Sequence, residues 1–296
     1  MNEVLVGATL PQFTDDPDRF IEVARRAEEC GLDSIWVFDH IWPLTGGRER
    51  PVIECFTALA WIAAETTTIR IGTLVARSSL RHPALLAKEA ATVAAIAPGR
   101  VTIAIGSGDE ASRPENEAYG IPYVEAEDRI GQLASTVRVV HGYLGGSSLD
   151  HHDDFASISG LPPSPVVDPP ARVWVGGRSD DVLEVAGTVA DGWNGWAGTP
   201  RRFAQDAATV AGYAGDRPVE LSWGGLVTLA RSDDAARERF GDRSAKGWIV
   251  GGPGTVAGAL GRFVEAGARH VIVTVPDPSL PDVFETLAGE VAPALA

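Results

Sequence analysis

Three short stretches of this sequence combine residue types and spacings that could do chemistry: Asp39-His40, Gly106-Ser107-Gly108-Asp109-Glu110 and Gly176-Gly177-Arg178-Ser179. An imidazole beside a carboxylate can take or give a proton near neutral pH, so Asp39 and His40 read as an acid/base pair. Packing of His40 behind an Asp39 that merely caps its loop is the competing reading. Gly176 and Gly177 would let an anion approach backbone N–H groups at a helix start, with Arg178 adding a charge-assisted contact. An ordinary turn, in which Asp180 and Asp181 satisfy the helix dipole, fits the same residues. Arg77, Arg81 and His82 make a further polar group. His151-His152-Asp153-Asp154 has metal-ligand types, but adjacent strand residues point to opposite faces, and a solvated loop is the better reading. No metal site is expected, because the six histidines converge on no ligand set. Trp36, Trp61 and Trp174 read as core, while Trp42, Trp193 and Trp196 stand where they could flank a flat ligand.

These residues gain meaning from the elements that carry them. A β-branched strand over residues 4–10 ends at Pro11. Asp16-Pro17 then supplies an N-cap and a first-turn proline for the helix FIEVARRAEEC, which Gly31 closes. The strand at 34–38 delivers Asp39-His40 to its end, followed by a Pro/Gly/Arg loop at 42–51 and a helix at about 55–66. Residues 69–75 form a strand and RHPALLAKEAAT opens an Ala-rich helix. Pro98-Gly99 stops that helix, and the strand at 101–105 runs into Gly106–Glu110. Strands at 173–175, 193–196, 220–230 and 270–275 alternate with helices starting near 126, 180, 200, 233, 255 and 281. Residues 142–170 break the rhythm as a loop or hairpin excursion with the look of a lid.

About eight strand–helix pairs in one chain of this length predict an α/β fold, a (β/α)8 TIM barrel forming a single domain over residues 1–296. An open doubly wound sheet competes, but no GxGxxG follows the first strand. Catalysis in such a barrel sits at the C-terminal strand ends, where the polar stretches fall, together with Phe13 and Pro276-Asp277. A net charge of −15 argues against nucleic acid as a partner. No run approaches the ~18 apolar residues that span a bilayer, the start lacks a basic signal-peptide region, and Cys30 and Cys55 form no CxxC. A cytoplasmic location is the expectation.

The pieces VGATLPQF, ECGLDSIWVFDHIWP, RHPALLAKEAAT with PGRVTIAIGSG, EAYGIP, and VGGRSDDVLEVAGTVADGWNGW resemble the bacterial luciferase-like flavin and deazaflavin oxidoreductases over nearly the whole chain. The resemblance implies a barrel that holds a tricyclic ring over its strand ends. It also implies a non-proline cis peptide at Thr73–Leu74, next to Val75, backing that ring. Asp39 and His40 would lie at the reactive face. The cofactor phosphate would sit at Gly176, Gly177, Arg178 and Ser179, with Gly192 and Trp193 alongside, and the Gly106 and Gly108 turn would border the ring. The pattern is closer to the F420 (deazaflavin) branch than to the FMN-dependent monooxygenases, which are the alternative.

The implied reaction is hydride transfer between the deazaflavin C5 and a small organic substrate. His40 would carry the proton and Asp109 or Glu110 would be the second acid/base. A homodimer is the family habit. A non-catalytic flavin- or ligand-binding barrel and a metal-dependent barrel hydrolase are readings from other classes.

Overall fold

Strand Gly192–Trp196 pairs in parallel with strand Glu220–Leu229, and that pairing closes a barrel. The computed structural model describes residues 4–44, 47–275, 277 and 280–295. Among these, the strands in chain order are β1 (Leu5–Thr9), β2 (Ser34–Val37), β3 (Arg70–Arg77), β4 (Val101–Gly106), β5 (Leu149–His152), β6 (Ser157–Leu161), β7 (Arg172–Gly176), β8 (Gly192–Trp196), β9 (Glu220–Leu229), β10 (Trp248–Gly251) and β11 (His270–Thr274). The barrel runs β1-β2-β3-β4-β7-β8-β9-β11 and returns to β1, every neighbour parallel. This is the TIM-barrel fold. Two additions lie outside the ring: β10 extends beside the far end of β9, and β5 and β6 form an antiparallel hairpin.

The helices are α1 (Pro17–Glu29), α2 (Cys55–Glu65), α3 (Pro83–Ile96), α4 (Arg113–Ala118), α5 (Ala126–Leu144), α6 (Asp180–Val189), α7 (Pro200–Ala214), α8 (Asp233–Phe240), α9 (Pro253–Glu265) and α10 (Pro281–Thr286). Local sequence sets their ends. The Asp16 carboxylate accepts from the Arg19 amide at 3.0 Å and Pro17 opens α1. Gly31, Gly99 and Gly267 take positive φ (83°, 74° and 111°) where helices turn back into strands, a conformation that suits glycine.

Two layers of core follow from strand alternation. In β2, Ile35 and Val37 face the helices while Ser34 and Trp36 face the barrel interior. Trp36 and Trp174 stack there at 5.2 Å, and His270 stands edge-on to both at 5.6 Å. Glycine makes this filling possible: a Cβ at Gly72 would lie 2.5 Å from Trp36, and one at Gly192 would lie 2.4 Å from Trp174 Nε1. The interior is a packed plug.

The 142–170 excursion is not a lid among the described residues. Its Ala156 and Ile158 pack on Val139 of α5, outside the barrel. His151 bonds Asp153 at 2.8 Å and contacts Ser135 at 3.1 Å, and Asp153 caps the turn by accepting from the Phe155 and Ala156 amides.

Candidate active site

A cavity of about 500 Å³ opens at the C-terminal ends of the strands, lined by residues 38–40 and 42–44, Leu74, Val75, the turn after β4, Glu115, Gly176, Gly177, Asn194 and Trp196. Its size falls in the ~300–1,000 Å³ range of small-molecule sites. A larger and shallower hollow of about 880 Å³ lies where the strands begin, between Arg70, Arg172, Glu220 and Arg269. Barrels of this kind carry their chemistry at the other end.

One ion-pair network holds Asp39 and His40 in place. Glu115, fully buried on α4, places Oε2 at 2.9 Å from His40 Nδ1. Its Oε1 accepts from the backbone amides of Ile41 and Trp42. Arg77, also buried, reaches Glu115 at 3.0 Å, the Asp39 carbonyl at 2.9 Å and Asn116 Oδ1 at 3.3 Å. Burial works to raise the Glu115 carboxyl, but the His40 bond, the Ile41 amide and the Arg77 charge outweigh it and hold it below the usual range. An ionised carboxylate only accepts, so His40 Nδ1 carries the hydrogen of this contact. No described residue bonds Nε2.

Asp39 is anchored from behind. Its Oδ2 accepts from the Arg77 amide at 2.9 Å and from Arg81 at 2.7 Å, while its buried Oδ1 has no partner among the described residues, and Asp39 lines the cavity. Arg81 also holds Glu54 at 2.5 Å and Glu89 at 3.0 Å. One guanidinium therefore serves three carboxylates. Burial, reinforced by Glu54 and Asp39, pushes Glu89 up to about 7 against the pull of Arg81.

The floor of the cavity is a bulge in β3. Thr73 pairs with Ile103 and Ala76 with Ile105, so β3 fits one extra residue into that span. The non-proline cis peptide lies at Leu74–Val75, one residue beyond the expected Thr73–Leu74, because the extra residue follows Thr73, whose hydroxyl is tied to the Ala104 carbonyl at 2.7 Å. Val75 seats itself between two glycines: a Cβ at Gly106 would come within 2.5 Å of it and one at Gly176 within 2.6 Å. The two glycine-bearing strand ends thus admit this side chain as well as line the cavity.

Other expected residues are placed elsewhere. Asp109 lines the cavity and caps the next turn through Ser112, whose amide and hydroxyl lie 3.1 Å from Oδ1. Glu110 does not reach the cavity. It is exposed and ion-paired to Arg113 and Arg129, whose hydrogen bonds pull its pKa down to about 2, so it has no acid/base role there. Trp193 is fully buried against Phe203 of α7 with its Nε1 on the Gly177 carbonyl, and Gly192 lies under Trp174. Strand alternation explains it: residues three apart in β8 face opposite sides, so Trp196 and Asn194 look inward and Trp193 outward. Thr73 is buried beside the floor without lining it.

Arg178 lies beside the cavity, bonded to buried Asp206 at 3.0 Å, and Ser179 caps α6 with no side-chain bond. Asp277 pairs with Arg19, and Pro276 lies outside the described residues. Reasoning from sequence missed Glu115, Phe38 and Asn194. Pro114 at the start of α4 was a signal that residues 113–118 form a helix. Among the described residues, no group of His, Cys, Asp and Glu could hold a metal, and no helix is long and apolar enough to cross a membrane.

The chain and its fold have counterparts in known proteins. The F420-dependent glucose-6-phosphate dehydrogenase of Kineococcus radiotolerans is 25% identical, over 97% of this chain and 95% of its own. A solved F420-dependent secondary alcohol dehydrogenase, in complex with an F420-acetone adduct, superposes with a TM-score of 0.86 at 19% identity, covering 99% of each chain. A monooxygenase from Streptomyces bottropensis gives a TM-score of 0.82 at 18% identity, covering 99% of this chain and 100% of that one. The structural likenesses show the fold. Residues 2–270 match the luciferase-like monooxygenase family, and with a match over that span the chain belongs to that family.

Proposed function

We propose that this protein is an F420-dependent oxidoreductase that transfers a hydride between the deazaflavin C5 and a small organic substrate. The observation that carries the reading is the His40–Glu115 pair, whose free Nε2 stands at a cavity floored by the Leu74–Val75 bulge. The F420-dependent relatives support the choice of cofactor.

The residues present fit such a group. Leu74 and Val75 offer an apolar floor, and Phe38 and Trp196, ring centroids 6.3 Å apart, offer an aromatic wall. Asp39 Oδ1 is a buried acceptor that awaits a donor. Near the Gly176-Gly177 turn, Arg178 and Arg202 share the single carboxylate of Asp206, at 3.0 and 2.6 Å, which leaves one positive charge over for an anionic tail.

When bound, a deazaflavin supplies a carbon that accepts or returns two electrons as hydride. The chain supplies the proton and the positioning. His40 Nε2 takes the hydroxyl proton of an alcohol as its C–H bond breaks, or returns it to a carbonyl, while Glu115 stabilises the imidazolium that forms. Asp109 is a further carboxylate on the cavity lining.

Fluorescence titration and gel filtration with F420 and with FMN test the reading. Retention of F420 and no retention of FMN is the expected result. The monooxygenase neighbour favours one second reading, an FMN-dependent monooxygenase. Retention of FMN alone would establish it and overturn the first. Protein that holds F420 and turns over no substrate would favour the binding-only barrel. We read the protein as one barrel domain acting as a cytoplasmic homodimer. Light scattering checks the oligomeric state.

A further inference from the structure

The charge inventory of the cavity carries an inference about the substrate, which rests on the reading of this site as an oxidoreductase centre. Arg77 is the one cation among the described residues that line it, and all three of its nitrogens are engaged, by the Asp39 carbonyl, Asn116 and Glu115. Arg81, behind it, is divided among Asp39, Glu54 and Glu89. Arg178, outside the lining, bonds Asp206 and the Trp196 carbonyl beside the Gly176-Gly177 turn assigned to the cofactor's anionic tail. The residues outside the described set include no lysine or arginine, so none of their side chains adds a cation. Against these stand three carboxylates on the cavity wall: Asp39, Asp109 and Glu115.

The rest of the lining is apolar and reaches the mouth. Phe38, Trp42, Leu74, Val75, Ala111 and Trp196 line the interior, and Leu44, half exposed at the rim, is one of the few large hydrophobic side chains left in water. That rim is held in shape: Glu115 bonds the Ile41 and Trp42 amides, and the Tyr119 hydroxyl donates to the Ile41 carbonyl at 3.1 Å. Arg48 stacks over Trp42, 4.2 Å from the ring centroid, without lining the cavity.

We infer that the substrate is an uncharged, largely apolar alcohol or its carbonyl partner, and that the site rejects phosphorylated sugars. A phosphate would enter beside three carboxylates, and the one cation on the described lining, Arg77, is already engaged. This separates the chain from the relatives named for glucose-6-phosphate. In the oxidative direction the alcohol carbon loses a hydride to the oxidised deazaflavin and the hydroxyl loses its proton to His40. The products are a ketone, the reduced deazaflavin and a proton released to solvent. Trp42, Leu44 and Trp196 are the side chains that select the substrate.

The test uses the purified full chain in two measurements. F420 reduction is followed with 2-propanol, cyclohexanol, 1-phenylethanol and glucose-6-phosphate, and saturation-transfer NMR on the protein alone records contact with 1-phenylethanol and with glucose-6-phosphate. The expected result is a kcat/KM at least about 100-fold higher for the best neutral alcohol than for glucose-6-phosphate, the scale of a like-charge penalty. NMR contact is expected for 1-phenylethanol only, weakened in Leu44→Lys. Turnover of glucose-6-phosphate above that of every alcohol, or no turnover of any alcohol by protein that holds F420, would overturn the inference. Contact with glucose-6-phosphate and none with the alcohol would overturn it whether or not F420 binds. Failure to hold F420 with alcohol contact intact would count against the cofactor alone.

Discussion

Glu115 Oε2 lies 2.9 Å from His40 Nδ1, across 75 residues of sequence, and is the only carboxylate among the described residues that touches this imidazole. The contact orients the ring and fixes its tautomer. Glu115→Gln keeps the side chain's shape and an acceptor for the Ile41 and Trp42 amides but removes the charge that stabilises the imidazolium. We expect kcat/KM to fall by about 100-fold, within the range attributed to general acid–base groups. Steady-state kinetics beside circular dichroism checks it. A variant with native spectrum and native kcat would show that the pair only packs.

The same carboxylate predicts a pH dependence of stability. Its folded pKa is held below the ordinary 4.5, so its contribution is fully present above that value and disappears as pH falls through the folded pKa. Melting temperatures of the wild type and Glu115→Gln should therefore differ most near neutral pH and converge in acid. The difference near neutrality is expected at about 1–3 kcal/mol, the scale of a hydrogen bond to a charged group.

Glu89 runs the other way. It is raised from 4.5 to about 7 because burial and the neighbouring Glu54 and Asp39 outweigh Arg81. The folded state holds a proton that the unfolded state releases, so stability declines as pH rises from about 4.5 to beyond 7. Glu89→Gln keeps an oxygen for Arg81 and removes the titration. We expect it to stabilise the protein at pH 8 by about 1–3 kcal/mol, with little change at pH 5. Thermal melts at the two pH values decide, and an equal or lower melting temperature at pH 8 would refute the assignment.

Val75 predicts a repairable lesion. A methyl at Gly106 would sit 2.5 Å from the valine side chain, so Gly106→Ala should cost about 1–3 kcal/mol by overpacking. Trimming the valine in Gly106→Ala/Val75→Ala should restore part of that loss, giving a positive coupling in a double-mutant cycle. Additive effects in chemical denaturation would mean that the two side chains do not compete for this space.

The parts of this molecule that were legible in the sequence are those set by neighbours in the chain. Gly31, Gly99 and Gly267 announce helix ends because the positive φ is needed within a turn of the cap. Asp39-His40 announces itself because strand ends collect chemistry in barrels. Glu115 was hidden because its meaning depends on a partner 75 residues away and on Arg77 from a third strand end. Asp109 and Glu110 are adjacent and chemically alike. Arg113 and Arg129 draw Glu110 outward, while Ser112 holds Asp109 in place at the rim, and neither choice has a local signature.

Trp193 and Trp196 turn that distinction into an experiment. They sit three residues apart in β8, so the pleat sends Trp193 into the helix layer against Phe203 and Trp196 into the cavity near Phe38. Trp193→Ala removes a fully buried ring and should cost about 3–5 kcal/mol of stability. Trp196→Ala removes a partly buried ring that lines the cavity, so its effect should fall mainly on ligand affinity, with about 1 kcal/mol lost from the fold. Chemical denaturation and cofactor titration of both variants give four numbers. A Trp193→Ala protein that stays as stable as wild type, or a Trp196→Ala protein that binds cofactor unchanged, would contradict the inward and outward assignment of this strand.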